Sequence, residues 1–269
     1  MLGKEENSVQ ELVSIVMPAY NVGDYIDESI RSVQAQTYTN WELLIVDDCS
    51  TDDTVDKIKA FMGDTRIKVL QNERNSGAAI SRNYALREAS GKWVAFLDAD
   101  DVWLPEKLEQ QLTFMIQNGY KFCYTDYRIR LNGEWKPYIN TGPNVVTKRK
   151  LYNYCYFSTI TVMYDREYVG LVQIADLKKN NDYAMWFQII EKTPCYRLPL
   201  CLSYYYKHDH SVSSGSKWKL IKYHYIMYRK ALGKGKCVSA LLTVNNLFWG
   251  VLKKITYRKK VENDNENII

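Results

Sequence analysis

The stretch GKWVAFLDADDVWLPEKL at residues 91–108 decides how this chain is read. Its apolar run Trp93–Leu97 has the length and composition of a buried strand, and the carboxylates Asp98, Asp100 and Asp101 follow at once. Charges at the C-terminal edge of such a strand gain no packing, and they raise one another's pKa unless something neutralises them. A divalent cation is the simplest neutraliser. Carboxylate oxygens suit Mg²⁺ or Mn²⁺, which keep positions open for phosphate oxygens. The plainer alternative is that one of these Asp residues only caps a helix starting near Pro105. A calcium loop does not fit, since its Gly and closing Glu are missing.

Outward from this stretch, Val13–Met17, Glu42–Val46, Ile67–Leu70 and Phe122–Tyr124 read as further short strands. Between them Tyr25–Gln36, Thr54–Met62, Ala78–Ala89 and Glu106–Gln117 carry apolar residues at helical spacing. Strand and helix alternating at this pitch predict an α/β fold, a mostly parallel sheet with helices on both faces. Ligands of such sheets bind outside the carboxyl ends of the strands. There the turns Tyr20-Asn21, Asp47-Asp48, Asn72 to Asn75 and Asp98 to Asp101 would line one polar crevice. Neither GxGxxG after the first strand nor GxxxxGK[ST] anywhere explains that crevice. Asp47 or Asp48 could still accept bonds from a base or ribose, and Tyr20 offers an aromatic face. Arg82, one turn into its helix, could reach a diphosphate or pair with Asp98.

Residues 119–216 are less regular and rich in aromatics, with Trp135, Tyr138, Tyr152, Tyr154 and Tyr156 close together. They suit either a wall that stacks on sugar rings or a partly buried aromatic core. Asp182 opens the helical run AMWFQII, as its N-cap or as a base at a helix start, where the helix dipole favours a carboxylate.

A chain of 269 residues with 46% apolar content can bury a full core, with loose tails expected at the first eleven and last nine residues. Six dispersed cysteines and a start unlike a signal peptide point to a reducing cytosol. The net charge of +5 is uneven: Lys217 to Lys260 holds twelve Lys or Arg and no acidic residue, leaving 24 basic against 28 acidic in residues 1–216. Such a segment suits anionic lipid or nucleic acid. On a helix from Lys217, the residues Trp218, Ile221, Tyr225, Tyr228 and Leu232 form one stripe, an interfacial pattern. Val238–Leu252 follows with Leu241, Leu242, Phe248, Trp249 and Leu252, too short and too polar at Asn245 and Asn246 to span a bilayer. Packing of both helices onto the rest of the chain is the alternative.

Together these segments resemble the inverting glycosyltransferases of family 2, which have the GT-A nucleotide-sugar fold. The resemblance rests on SIVMPAYN at 14–21, VDDCSTDDT at 46–54, NERNSGAAISRNYAL at 72–86, residues 91–108, NDYAMW at 181–186 and YYYKHDHSVS at 204–213. It implies that Pro18, Tyr20 and Asp48 line a uridine-type base and ribose, with Asn75 and Arg82 nearby. It further implies that Asp98 faces the ribose and Arg82, that Asp100 binds the metal, that His208 approaches the same metal or the diphosphate, and that Asp182 is the catalytic base. Where the family usually has Glu-Asp, this chain has Asn181-Asp182, a departure that touches acceptor contacts more than chemistry. Residues 1–118 would then bind the nucleotide sugar, 119–216 the acceptor, 217–260 a membrane surface, and 261–269 would be a disordered end. The resemblance implies a cytoplasmic enzyme, peripheral on the inner membrane face, dependent on Mn²⁺ or Mg²⁺, serving surface polysaccharide synthesis. Its acceptor would be a glycan or lipid-linked oligosaccharide, with no nucleic acid partner. A nucleotidyltransferase would want a basic loop after the first strand, which Tyr20 to Asp24 lacks. A non-catalytic nucleic-acid-binding protein would leave the acidic positions without purpose.

Overall fold

The computed structural model describes residues 11–207 and 217–261. In chain order β1 (Val13–Ala19), α1 (Gly23–Gln34), β2 (Trp41–Asp47), α2 (Thr54–Lys59), β3 (Ile67–Gln71), α3 (Ala78–Glu88) and β4 (Trp93–Phe96) alternate. Then come β5 (Val102–Trp103), α4 (Lys107–Asn118), β6 (Phe122–Leu131), β7 (Glu134–Asn140), β8 (Val145–Val146), α5 (Lys148–Asn153), β9 (Val162–Asp165) and α6 (Arg166–Val169). The rest is α7 (Asn181–Ile190), β10 (Cys195–Lys207), α8 (Lys217–Ile226), a π turn at Met227–Ala231, α9 (Lys236–Thr256) and β11 (Arg258–Lys260).

The sheet runs β11-β7-β6-β9-β4-β1-β2-β3, and β10 pairs with β6, β5 and β8. Strands β3, β2, β1 and β4 are mutually parallel, as expected. Beyond β4 the pairing turns antiparallel through β9, β6, β7 and β11, while β10 lies parallel to β6. The fold is therefore a mixed α/β sheet whose parallel half is covered on both faces, which explains its near-continuous apolar runs. On one face Val16, Leu44, Val46, Val94 and Phe96 meet α3 and α7. On the other, Ile15, Met17, Leu43, Ile45 and Ala95 meet α1, α2 and α4.

One polar knot is buried in this sheet. Glu42 accepts from the Ser14 hydroxyl (2.6 Å), from the Ser90 amide and hydroxyl (2.7 Å each) and pairs with Lys68 (2.8 Å). Burial alone would push its carboxyl up, but these bonds pull it down to about 2, so the charge is fully satisfied.

The C-terminal segment differs from the expected interfacial stripe. Of Ile221, Tyr225, Tyr228 and Leu232, Tyr228 is completely buried and Leu232 packs against the core, so this side of the tail faces the protein. Tyr228 donates to the Tyr152 carbonyl (3.3 Å). The side chain of Trp218 lies outside the described residues. Helix α9 docks beside α5, and Gly250 permits the approach: a Cβ there would stand 3.0 Å from the Tyr154 ring. Strand β11 then extends the sheet along β7.

Candidate active site

Because β1 to β4 are parallel, the turns that follow them gather at one edge. The first two are stitched together: Asn21, in a left-handed conformation, accepts from the Thr51 amide (2.8 Å), and its own amide donates to the Ser50 hydroxyl (3.0 Å). Pro18 ends up half-buried in β1, and Tyr20 and Asn75 are exposed on the loops. Asp48 is buried beneath them. Its carboxylate accepts from the Asn72 side chain (2.6 Å) and from the amides of Ser76 (2.8 Å) and Gly77 (2.7 Å). Gly77 has φ +86°, a conformation other residues resist, and with Asp48 it fixes the start of α3.

Fixing α3 aims Arg82. Its guanidinium pairs with Asp98 at 2.5 Å, one of the two alternatives left by the sequence, while its buried Nε finds no partner among the described residues. Burial opposes the Arg82 charge, yet Asp98, Asp182 and Asp100 together raise its pKa. One carboxylate thus pairs with Arg82, and two more, from two separate segments, act on it through their charge.

The acidic turn is held from below. The Ser29 hydroxyl bonds the carbonyls of Ala99 (2.9 Å) and Asp101 (2.7 Å). Asp101 is wholly buried and accepts from the Tyr206 amide (2.7 Å), so it anchors β10 to the turn. Burial, with Asp100 and Asp98, raises its pKa well above the usual range, and its second oxygen has no partner among the described residues. Asp100 is pushed up to about 6 by burial and by Asp98, against the pull of Arg82. A carboxyl so crowded by like charge favours a cation over its own ionised, unpaired state. Among the described residues no three His, Cys, Asp or Glu side chains gather into a ready-made metal cage. The donor set fits Mg²⁺ or Mn²⁺ held by one or two carboxylates and completed by substrate phosphates. His208, the other expected ligand, lies outside the described residues with Ser211 and Ser213.

Asp182, in the first turn of α7, lies near enough to the same edge for its charge to act on Arg82. Trp186, four residues on and so on the same helix face, is packed among Phe96 (5.5 Å between ring centroids), Phe122 (5.8 Å) and Phe157 (5.9 Å). Phe96 stands two residues before Asp98, so this aromatic clamp sets Asp182 beside the acidic turn. The helix cap is Asn180, not Asp182, which lies within the first turn. The Asp182 carboxylate accepts from the Thr159 hydroxyl (2.8 Å) and from the Tyr183 amide (2.8 Å). Behind it, His224 of α8 lies 3.2 Å from the Asn180 side-chain nitrogen. Burial lowers the His224 pKa to about 4, against the pull of Asp182, so the ring is neutral near pH 7.

The aromatic cluster divides. Tyr156 is buried and Tyr152 and Tyr154 pack against the core, whereas Trp135 sits over Tyr204 at 4.6 Å on β7. Thr159, Asn180, His224 and Ser29 have no assigned part in the sequence reading, and Asp101, read there with the acidic turn lining the crevice, is buried beneath it. Thr159 is 23 residues from the carboxylate it holds, and no local pattern marks it.

The model for Glycosyl transferase family 2 matches residues 14–169. Among curated relatives, TuaG of Bacillus subtilis (strain 168), named as a teichuronic acid biosynthesis glycosyltransferase, is 39% identical over 81% of this chain and 88% of its own length. WfgD of Escherichia coli, named as a UDP-Glc:α-D-GlcNAc-diphosphoundecaprenol β-1,3-glucosyltransferase, is 43% identical over 67% of this chain and 70% of its own. The fold is shared with S. aureus TarS 1-349 in complex with UDP-GlcNAc, with TM-score 0.70, 22% identity, and coverage of 88% of this chain and 71% of that one.

Proposed function

Since the chain belongs to glycosyl transferase family 2 and is a glycosyltransferase, we propose that it moves a sugar from a nucleoside diphosphate sugar, a UDP-sugar foremost, onto a hydroxyl of a lipid-linked oligosaccharide in surface polysaccharide synthesis. The observation that carries this reading is the Arg82–Asp98 ion pair at the edge where four parallel strands end, with Asp100 and Asp182 near enough for their charges to act on Arg82. The donor class draws support from WfgD, named for UDP-Glc, and the acceptor class from the diphosphoundecaprenol in the same name. A setting in surface polysaccharide synthesis draws support from TuaG. Residues 1–118 hold the donor in this reading and 119–216 the acceptor. In this reading the lipid of the acceptor brings the reaction to a membrane surface, taken to be the inner, cytoplasmic one, with the protein peripheral to it.

Each residue has a task. Pro18, Tyr20 and Asn75 flank the base and ribose, and Asp48 keeps their loops in register. Asp98 orients Arg82, whose guanidinium stabilises the negative charge that builds on the departing nucleoside diphosphate. A bound Mn²⁺ or Mg²⁺, held by Asp100 with His208 as second candidate, would supply further neutralisation of that diphosphate. Asp182, oriented by Thr159, takes the proton from the acceptor hydroxyl as it attacks the face of the anomeric carbon opposite the leaving group. One displacement inverts the configuration.

A panel of UDP-, GDP- and dTDP-sugars tests the reading. Release of UDP from at least one UDP-sugar, stimulated by Mn²⁺ or Mg²⁺, is expected. Absence of turnover with every nucleotide sugar, with and without a lipid-linked acceptor, would defeat it.

A further inference from the structure

Helix α9 is built inside out. The side turned to the protein carries Ser239, Thr243, Asn246, Gly250 and Lys253, each three or four residues from the next. Their polar groups are used internally: Thr243 donates to the Ser239 carbonyl (2.7 Å), Asn246 to the Tyr183 hydroxyl (3.1 Å) and Lys253 to the Tyr156 carbonyl (2.9 Å). The opposite side carries Leu241, Val244, Phe248, Val251 and Ile255, again at alternating steps of three and four, and all five are between 62% and 77% exposed. At 1.5 Å per residue this stripe runs for about 21 Å. A water-facing helix normally shows the reverse arrangement, so a continuous apolar face of this kind marks an interaction surface.

Charge identifies the occupant. Lys236 and Lys254, eighteen residues or five turns apart, flank the stripe on the same side, and both are exposed. Exposed Arg258, Lys259 and Lys260 follow in β11, and no acidic residue occurs between 217 and 260. A second copy of this chain would bring basic residues against basic residues whichever way the two helices ran. An anionic bilayer surface instead offers hydrocarbon for the stripe and headgroup charge for its flanks. No helix among the described residues is long and apolar enough to cross a membrane, so α9 would lie in the plane of the interface.

We infer that the outward face of α9, and not the Tyr228 side of the tail, docks the protein on an anionic lipid surface. The arrangement bears on catalysis through the reading above, on which this clause alone rests. Asn246 touches Tyr183, the neighbour of Asp182, so a docked α9 would hold the acceptor side of the crevice close to the lipid that carries the acceptor.

Sedimentation of the full chain with phosphatidylglycerol-containing vesicles, against pure phosphatidylcholine vesicles, tests the inference. The parent should sediment with the anionic vesicles at low salt and be released as salt rises. The double variant L241E/F248E should bind at least ~10-fold more weakly, with an unchanged melting curve and unchanged donor hydrolysis, since neither side chain touches the site. Failure of the parent to sediment, equal binding to neutral vesicles, or a double variant that binds like the parent would each overturn it. A dimer that ignores vesicles and is broken by L241E/F248E would make a second copy the occupant and likewise overturn it. Donor turnover is read in the same samples without lipid, so loss of vesicle binding alone leaves the glycosyltransferase reading standing.

Discussion

Asp182→Asn lowers the rate of sugar transfer by at least ~10²-fold while leaving donor affinity and fold close to the parent's. The geometry separates the two effects. In the parent, one carboxylate oxygen accepts from the Thr159 hydroxyl and the other from the Tyr183 amide. An Asn side chain keeps one acceptor for the amide, and its NH₂ can donate to the Thr159 hydroxyl, which accepts as readily as it donates. Asn180, not residue 182, holds the N-cap position of α7, so the substitution leaves that position untouched. What vanishes is the capacity to take a proton from the acceptor hydroxyl. Steady-state rates with saturating donor and acceptor, beside a melting curve, check this, and a rate within a few-fold of the parent would reduce Asp182 to a structural group.

Asp100→Ala should remove metal-stimulated turnover, a loss of ~10³-fold or more if the cation contributes the several kcal/mol usual for charge neutralisation. The same variant should melt higher than the parent in chelator near pH 7. Burial and Asp98 raise the Asp100 carboxyl from 3.8 to about 6 in the folded protein, so the folded state binds the proton more tightly than the unfolded one. Stability therefore falls as pH rises from about 4 through about 6, and above that the ionised Asp100 costs on the order of 3 kcal/mol. Alanine removes that cost, and the difference between the proteins should vanish below about pH 4. Mn²⁺ should raise the melting temperature of the parent and not of the variant. Equal responses to Mn²⁺, or full activity of the parent in excess chelator, would take Asp100 out of the metal site.

The parallel half of the sheet was legible because strands buried on both faces show up as apolar runs, and because polar turns after parallel strands must share one edge. Strand β10 was not legible at full length. Pro199 interrupts it, and register shifts between Leu198 and Cys201 and between Cys201 and Ser203 break its alternation. The acidic turn and Asp182 stood out by their motifs, whereas Thr159 and His224 act through contacts that only the folded chain creates. Asp48 was picked out as a ligand contact, and the structure shows its carboxylate engaged with Asn72, Ser76 and Gly77. In the tail, spacing revealed that Ile221, Tyr225, Tyr228 and Leu232 share a face, but periodicity says only that such a face is covered, not by what. Tyr228 is covered by the protein, and the uncovered face belongs to the next helix.

The central claim is a single displacement with Asp182 as base, and the configuration of the product reports on it most directly. The anomeric coupling constant in the proton NMR spectrum of the glycan made from an α-linked UDP-sugar should be that of a β-linkage. An α-linked product would mean retention, and would contradict the account.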